Sequence, residues 1–418
     1  SPNGAQAYVW GMERQDTDIL ISGGGVAGLT AAAAFGSAGF RVICVDPAPP
    51  VTDEAAAGAD LRTTAFLQPA RDLLDRAGLW DRLAPFAAPL QIMRIVDAGG
   101  DSPEARVTRD FNAADISDAP FGWNLSNWLL RREMVARLAE LDTVDFRAGV
   151  GFKSLLTREG EALVTLSNGA QGRARLVIAA DGRDSPVRQA VGIDVKTKRY
   201  GQKAVTFTVA HDAPHNNVST EVHRTGGPFT LVPLPDLDGE PCSAVVWMEN
   251  GPEALRLAAL DAADFEAAAT TRSAGTYGPL TLASRRMVWP IISQRAARMS
   301  CERVALVAEA AHVVPPIGAQ GLNMSLADMT CLLDLAMASP ATLGDRKMLD
   351  AYHARRHPEV VLRVKGVDAL NRASIAGSPM LRDLRAKGIE ALYSVAPLRK
   401  TLMQMGLGAS SQSGSHNT

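Results

Sequence analysis

Cysteine is scarce in this sequence, and the four cysteines form no recognisable pattern. Cys44, Cys242, Cys301 and Cys331 lie far apart in the chain, and no CxxC pair occurs. A disulfide framework or a zinc site requires closer and more regular spacing. The sequence therefore predicts reduced thiols, no metal site and a cytoplasmic location.

Net charge and long apolar runs are lacking as well. The formal net charge is -2, which excludes the strongly basic surface of a nucleic-acid-binding protein. No apolar run approaches the roughly 18 residues that a membrane-spanning helix needs, and no signal peptide is visible. Hydrophobic residues make up 46% of the sequence, which is typical of a globular protein. The length of 418 residues indicates more than one lobe.

The clearest motif that is present is TDILISGGGVAGLTAAAAFGSAGFRVICVDP, residues 17–47. Its GxGxxG pattern follows an apolar strand and opens a helix, and a second strand ends at an acid about 20 residues further on. The free N–H groups and the dipole of the helix start favour a pyrophosphate. The pattern predicts dinucleotide binding, with an ordinary glycine-rich βαβ turn as the alternative; the residues concerned are Gly23, Gly25, Val26, Ala27, Gly28 and Asp46.

Two further stretches have the same character of a strand followed by a structured turn and a helix. ARLVIAADGRDSPVRQAVGI (174–193) places Asp181 directly after an apolar strand, and LVAEAAHVVPPIGAQGLN (306–323) turns through paired prolines and two glycines. Prolines fix the backbone path instead of burying surface. His312 in the second stretch is predicted to anchor the local backbone rather than to act as a base.

Together these three stretches resemble the class A flavoprotein monooxygenases, the aromatic hydroxylases with a single dinucleotide-binding domain. The sequence also resembles the ubiquinone-biosynthesis hydroxylases, which have similar stretches in the same order. In this chain these stretches are GADLRTTAF (58–66), NWLLRREMVARL (127–138) and VVPPIGAQGLNMSLADM (313–329). The similarity extends from Thr17 to Gly408, nearly the whole chain. The resemblance selects FAD as the dinucleotide.

The resemblance implies an α/β fold: a Rossmann-like FAD-binding lobe of the para-hydroxybenzoate-hydroxylase type, an inserted antiparallel substrate sheet and C-terminal helices. Domain boundaries are predicted accordingly. The FAD-binding domain comprises 17–90, 121–200 and 285–345, the substrate domain comprises 91–120 and 201–284, and 346–408 forms a helical segment that packs on the FAD lobe. Residues 1–16 and 409–418 are expected to be flexible tails.

The resemblance also assigns site residues. Pro315, Pro316 and Gly318 would position the reactive face of the flavin, and no side-chain base is assigned. Helix N-terminal N–H groups would stabilise negative charge on the flavin. The cofactor-binding residues implied in addition to the GxGxxG set are Arg62, Arg131, Asp181, Glu309, Gly321, Leu322 and Asn323.

One position departs from the family. The late motif of these enzymes usually reads Gly-Asp, and its carboxylate holds a ribityl hydroxyl, whereas this chain has Ala308-Glu309. Glutamate keeps the charge but adds one methylene group. We expect Glu309 to bind the ribityl chain or groups on the pyrophosphate side.

The implied activity is hydroxylation of an aromatic ring through a C4a-hydroperoxyflavin, with NADPH or NADH and O2 as co-substrates. The implied substrate is a prenylated phenol of ubiquinone biosynthesis, and other proteins of that pathway or the surface of the inner membrane are candidate partners. Alternatives remain open: a non-catalytic flavin-binding subunit, a hydroxylase for a small soluble aromatic, or a halogenase or flavin reductase on the same scaffold.

Overall fold

The structure is a computed structural model that describes residues 14–375, 377–396, 399–400 and 403–404. The predicted tail 409–418 and residues 1–13 of the predicted tail 1–16 lie outside the described residues. The predicted end of the N-terminal tail at residue 16 is too late. Gln15 and Asp16 already belong to the first strand, because they pair in register with Gly172 and Arg173.

Twenty strands occur in the part of the chain that the structure describes. In chain order they are β1 (Gln15–Ser22), β2 (Val42–Asp46), β3 (Thr63–Leu67), β4 (Ala88–Leu90), β5 (Ile92–Asp97), β6 (Val107–Asn112), β7 (Gly122–Ser126), β8 (Val144–Ala148), β9 (Phe152–Thr157), β10 (Ala162–Leu166), β11 (Gln171–Ala179), β12 (Val195–Ala210), β13 (Val218–His223), β14 (Pro228–Leu237), β15 (Glu240–Asn250), β16 (Thr281–Leu282), β17 (Met287–Ala296), β18 (Ser300–Cys301), β19 (Val304–Leu306) and β20 (His312–Val313).

Ten α-helices accompany them within the same residues. They are α1 (Val26–Ser37), α2 (Gln68–Arg76), α3 (Trp80–Leu83), α4 (Asn127–Ala139), α5 (Pro186–Ala190), α6 (Gly251–Ala259), α7 (Ala262–Arg272), α8 (Gln320–Ala338), α9 (Arg346–Ile375) and α10 (Pro379–Ser394).

The first sheet is the predicted Rossmann-like sheet. Its strand order is β18-β19-β11-β1-β2-β8, and the β9–β10 hairpin joins it at β11. The pairs β19–β11, β11–β1, β1–β2 and β2–β8 are parallel. Ile19, Leu20 and Ile21 of β1 are fully buried, as expected for a parallel strand covered on both faces. The predicted α/β fold class is confirmed.

The second sheet has the order β20-β17-β12-β15-β14-β13-β5-β6, with β16 beside β12. Its pairs are antiparallel except for β13–β5. One face packs on α6 and α7 in a core that includes Phe207, Val222, Trp247 and Phe265. Because side chains alternate along a strand, the neighbours of Val222 on β13 point to the opposite face.

The domain boundaries predicted at 201 and 285 do not coincide with the edges of this sheet. β12 begins at Val195, and β17 (Met287–Ala296) pairs with β12 over most of its length. Residues 287–296 were assigned to the FAD lobe, but they extend the substrate sheet. Periodicity identifies a strand without identifying its partner, so the sequence could not place β17 in a sheet.

The prediction that the C-terminal helices pack on the FAD lobe fits α9, which lies against α8 and β18 of that lobe, but it does not fit α10. α9 lies against α8 and the strands β17 and β18, whereas α10 lies on β5 and β6 of the second sheet. Ion pairs fix α10 there: Arg385 with Asp97, and Arg109 with Glu390. Among the described helices, none is long and apolar enough to cross a membrane.

Candidate flavin site

A single large cavity joins the two sheets, with a volume of about 1380 Å³. Its lining includes the carboxyl ends of β1, β2 and β11, the face of the second sheet opposite α6 and α7, and the start of α8. The structure brings all the site residues predicted from the sequence to this cavity except Gly28 and Asn323. A crevice at the carboxyl ends of parallel strands is where such folds bind dinucleotides.

The glycine turn has the shape required by a tight strand-to-helix connection. Gly23 has a φ of +117°, and a Cβ atom there would lie 2.1 Å from the carbonyl oxygen of Ala180. A Cβ on Gly28 would lie 1.8 Å from the carbonyl oxygen of Gly23, so Gly28 permits packing rather than lining the cavity. Gly25 caps α1 and faces open space. The helix start is therefore unobstructed for an anionic group.

Asp46 is held at the edge of the cavity by two backbone donors. The N–H of Gly24 donates to Oδ2 at 2.6 Å, and the N–H of Ala48 donates to Oδ1 at 2.7 Å. These bonds fix the carboxylate beside the glycine turn. Its position fits the proposed role of accepting hydrogen bonds from ribose hydroxyls.

Asp181 has one satisfied and one unsatisfied carboxylate oxygen. The hydroxyl of Ser22 donates to Oδ2 at 3.1 Å, and the N–H of Val187 donates to the same atom at 3.3 Å. Oδ1 is buried and has no hydrogen-bond partner in the structure. Burial raises the pKa of this carboxyl against the lowering effect of Ser185, Val187 and Ser22. A buried acceptor without a donor fits a site that a ligand hydroxyl completes.

Asp60 organises a polar cluster that the sequence reasoning missed. It accepts two hydrogen bonds from Arg62, both at 2.8 Å, one from Asn127 at 3.1 Å and one from Arg131 at 3.2 Å. Burial alone would raise the pKa of Asp60, but the hydrogen bonds and charges of Arg62, Asn127 and Arg131 outweigh it and hold the pKa below its usual range. The signal that the sequence offered for this cluster was Asp60 itself, an acid two residues before Arg62.

Arg62 also contacts the second sheet. Its guanidinium lies 3.9 Å from the ring centroid of Trp289 on β17, within the range of a cation–π contact. The bidentate pair with Asp60 holds the guanidinium plane in this orientation. Arg62 and Arg131 both line the cavity, so the cluster places positive charge where an anionic cofactor would lie.

The paired prolines lead into the start of α8. After Pro315 and Pro316, the backbone passes through left-handed conformations at Gly318 (φ +64°) and Ala319 (φ +55°), and α8 begins at Gln320. The first residues of a helix have N–H groups without intrahelical partners. Gly321 and Leu322 therefore present such groups at the cavity.

Asn323 is placed differently from the prediction. Asn323 is the fourth residue of α8 and is not among the residues that line the cavity. Its side chain bonds to β3 instead: Oδ1 accepts from the N–H of Leu67 at 2.9 Å, and Nδ2 donates to the carbonyl of Ala65 at 2.7 Å. Asn323 thus joins α8 to β3 and lies behind the cavity wall.

Glu309 lines the cavity with a half-exposed side chain, 52% accessible. Oε2 lies 3.6 Å from Nε of Arg183, a distance that leaves the carboxylate free to accept further hydrogen bonds. Its neighbour Ala308 adopts a φ of +56°, in the left-handed region that favours glycine. The backbone at Ala308 therefore adopts a conformation that favours glycine, at the position where the motif usually has one.

His312 belongs to a buried ion cluster. Nε2 of His312 lies 2.5 Å from Oδ2 of Asp328, and Nε of Arg356 donates to Oδ1 at 2.8 Å. All three residues are at most 4% exposed. The sequence prediction of an anchoring histidine agrees with this arrangement, although the partner is a side chain rather than the local backbone.

These features fit FAD. An open helix start at Gly25, the positive cluster around Asp60, the unpaired Oδ1 of Asp181 and the start of α8 line one continuous cavity. Each supplies a group that the pyrophosphate, sugar or ring of a flavin dinucleotide would engage.

Comparison with known proteins agrees with the geometry. The FAD binding domain family matches residues 16–365. Ubiquinone hydroxylase UbiL of Rhodospirillum rubrum is 33% identical, over 97% of this chain and 93% of its own length. The human mitochondrial ubiquinone biosynthesis monooxygenase COQ6 is 27% identical, over 94% of this chain and 93% of its own length.

Solved structures with this fold include p-nitrophenol 4-monooxygenase PnpA from Pseudomonas putida DLL-E4, with a TM-score of 0.76 and 20% identity. The similarity covers 94% of this chain and 99% of PnpA. At this identity the likeness establishes the fold. From the family match and the similarity to the ubiquinone hydroxylase together, the chain belongs to the FAD binding domain family of class A flavoprotein monooxygenases, in the group of the ubiquinone-biosynthesis hydroxylases.

Proposed function

We propose that this protein hydroxylates a phenolic ring that carries an apolar prenyl tail, as a step in ubiquinone biosynthesis. FAD is the cofactor, and NADPH or NADH and O2 are the co-substrates. The names of the relatives support the pathway and the type of reaction. The tail is supported by the shape of the cavity.

The observation that carries this proposal is an apolar path out of the cavity. Leu370 on α9 and Leu381, Leu384 and Leu392 on α10 line the same cavity as the Pro315–Gly318 turn. These leucines are 43–65% exposed, so they form an apolar rim, here called the leucine portal. Exposed apolar patches of this kind mark ligand-binding or interaction sites. A ring beside the flavin could extend its tail through the portal.

The chain's own residues would bind, orient and exclude water. Bound FAD supplies the redox and oxygen chemistry of aromatic hydroxylation. Asp46, Asp181 and Glu309 would hold sugar and ribityl hydroxyls, and the start of α8 would stabilise negative charge on the flavin ring. Pro315 and Pro316 offer no N–H groups to water and keep the adjacent wall stiff.

We further propose that the portal faces a membrane surface or a lipid-carrying partner. The basic residues of α10 give this proposal less support than its apolar residues do. Arg385 is 7% exposed and is paired with Asp97, so it is not available to lipid headgroups. The leucine rim, together with the exposed Met380, provides the apolar contact.

The test is turnover with a defined substrate. Purified protein saturated with FAD is mixed with NADPH or NADH and a phenol that bears an isoprenoid chain. We expect nucleotide oxidation to be stimulated by the phenol and matched by a product with one added oxygen atom in mass spectrometry. Stimulated oxidation that yields only hydrogen peroxide, or a failure to retain FAD, would contradict the proposal.

A further inference from the structure

The cavity contains one carboxylate that the flavin site does not use. Glu221 lies on β13, and its side chain lines the cavity together with those of Ser219 and His223 on the same face of the strand. Val222 between them belongs to the core under α6 and α7. The alternation of β13 therefore directs Glu221 away from the core and into the cavity.

His223 holds the carboxylate. Its Nε2 lies 2.7 Å from Oε1 of Glu221, and the two side chains are 12% and 20% exposed. Nδ1 of His223 is buried without a partner, so Nε2 is assigned as the donor to Glu221. The described residues give Glu221 no other side-chain partner, and neither of its carboxylate oxygens is among the buried unpaired atoms. Oε2 is therefore accessible from the cavity.

The cavity-lining residues in register with Glu221 carry no charge. Glu221 pairs in register with Thr230 on β14 and with Ile95 on β5, and Thr230 pairs in turn with Val246 on β15. All four line the cavity. A carboxylate among hydroxyl and apolar side chains is a specific acceptor for one ligand donor.

Every cation on the cavity wall within the described residues already has a carboxylate partner. Arg62 and Arg131 share one carboxylate, and we assign their excess positive charge to the anionic cofactor, so an anionic ring would meet paired cations and the charge of Glu221. The cations, with their acids, are Arg62 and Arg131 with Asp60, Arg94 with Asp110, Arg183 with Glu309, Arg372 with Asp368 and Arg385 with Asp97.

From this arrangement we propose that Glu221 accepts a hydrogen bond from the phenolic hydroxyl of the substrate and so selects a neutral phenol over a ring that bears a carboxylate. His223 is a positioning residue that orients the acceptor. The hydrogen bond to a carboxylate polarises the O–H bond and makes the ring richer in electrons, which favours electrophilic oxygen transfer. The inference rests on the proposed function, since it specifies the substrate of the same site.

The test measures binding of matched ligands to the FAD-loaded protein. The ligands are 2-prenylphenol, its methyl ether, which lacks the donor, and the same phenol with a ring carboxylate. The variants are Glu221→Gln and, as a control, Glu240→Gln, an exposed glutamate at the start of β15. Dissociation constants follow from the change in flavin absorbance, and FAD affinity and the melting temperature report on folding.

We expect Glu221→Gln to weaken binding of the phenol by about 10-fold or more, the usual effect of losing a charge-assisted hydrogen bond. The methyl ether should bind with nearly unchanged affinity, and the preference of the wild type for the neutral phenol over the carboxylated ring should narrow. Glu240→Gln should bind all three ligands like the wild type.

Equal losses for the phenol and the ether, or no loss for either, would overturn the role of Glu221 while leaving the hydroxylase function intact. A wild-type protein that hydroxylates the carboxylated ring in preference to the neutral one would also overturn it. A wild type that binds FAD but neither binds nor hydroxylates any of these rings would instead contradict the proposed function.

Discussion

At the residue scale, Ala308 shows how this chain keeps a turn without the residue that suits it best. Its φ of +56° is unfavourable for a residue with a Cβ, at roughly 1–2 kcal/mol. The side chain is 5% exposed, and the N–H lies 3.3 Å from Oδ2 of Asp328. The surrounding contacts therefore hold the backbone in this conformation.

We expect Ala308→Gly to stabilise the protein by about 0.5–1 kcal/mol. Relief of the left-handed strain outweighs the greater freedom that glycine gives to the unfolded chain. Urea unfolding of the FAD-free protein measures the change.

Ala310→Gly is the control for this change. Ala310 is buried in the same short turn and is not among the residues with positive φ. The Ala310→Gly variant should be less stable than the wild type by about 0.5–1 kcal/mol, because glycine at ordinary backbone angles lowers the free energy of unfolding. If both variants lost stability equally, strain at Ala308 would not be the explanation.

At the element scale, the cluster of His312, Asp328 and Arg356 joins three pieces of chain. His312 is in β20, Asp328 is in α8 and Arg356 is in α9. The Pro315–Gly318 turn lies between the first two, so the cluster fixes both ends of the segment that we propose to line the flavin. Burial raises the pKa of Asp328, but the charges and hydrogen bonds of His312 and Arg356 lower it more, to below its ordinary value.

We expect Asp328→Asn to destabilise the protein by about 2–4 kcal/mol at pH 7, because His312 and Arg356 lose a fully buried charged acceptor and Arg356 keeps only the partly exposed Glu359. Since the folded-state pKa is lowered, the contribution of Asp328 is complete above the unfolded pKa of about 3.9. It is lost as pH falls through the folded pKa. The free energy of unfolding of the wild type should therefore fall more steeply below about pH 4 than that of the variant.

The control for this experiment is Asp334→Asn on the same helix. Asp334 is 54% exposed and is paired with Arg76, so its loss should change stability by less than about 1 kcal/mol. If the free energy of unfolding of the wild type and of Asp328→Asn fell equally below about pH 4, the cluster would not be the cause of the loss of stability in acid.

At the scale of the whole molecule, the leucine portal depends on how the C-terminal helices lie across the second sheet. α10 rests on β5 and β6, and exposed leucines of both α9 and α10 line the cavity. Neither helix alone would form a path for an apolar tail.

We expect the triple change Leu381→Gln, Leu384→Gln and Leu392→Gln to raise the KM for a phenol with a long isoprenoid tail by about tenfold or more. The reason is the loss of apolar contact along the tail. The KM for a phenol with one isoprene unit should change by less than about threefold, because its short tail stays inside the cavity.

Leu156→Gln provides the control. Leu156 is 56% exposed on β9 and is not part of the cavity lining, so both KM values should match the wild type. If the triple variant raised the KM for both substrates equally, the tail would not bind at the leucine portal.

The sequence by itself determined the parts of this protein that are local in the chain. The GxGxxG turn, the acid at Asp46 and the glycine and proline turns before α8 follow from backbone geometry over a few residues. Resemblance of whole segments then gave the cofactor and the class of reaction. These predictions needed no knowledge of which strands pair.

Only the tertiary structure decided the features that join distant residues. Asp60 gathers Arg62, Asn127 and Arg131, β17 joins the substrate sheet, and Arg385 is paired with Asp97 rather than left to solvent. Glu221 faces the cavity because of the register of β13. Alternation along a strand shows that two faces differ, but pairing with other strands decides which face meets the core and which meets the ligand.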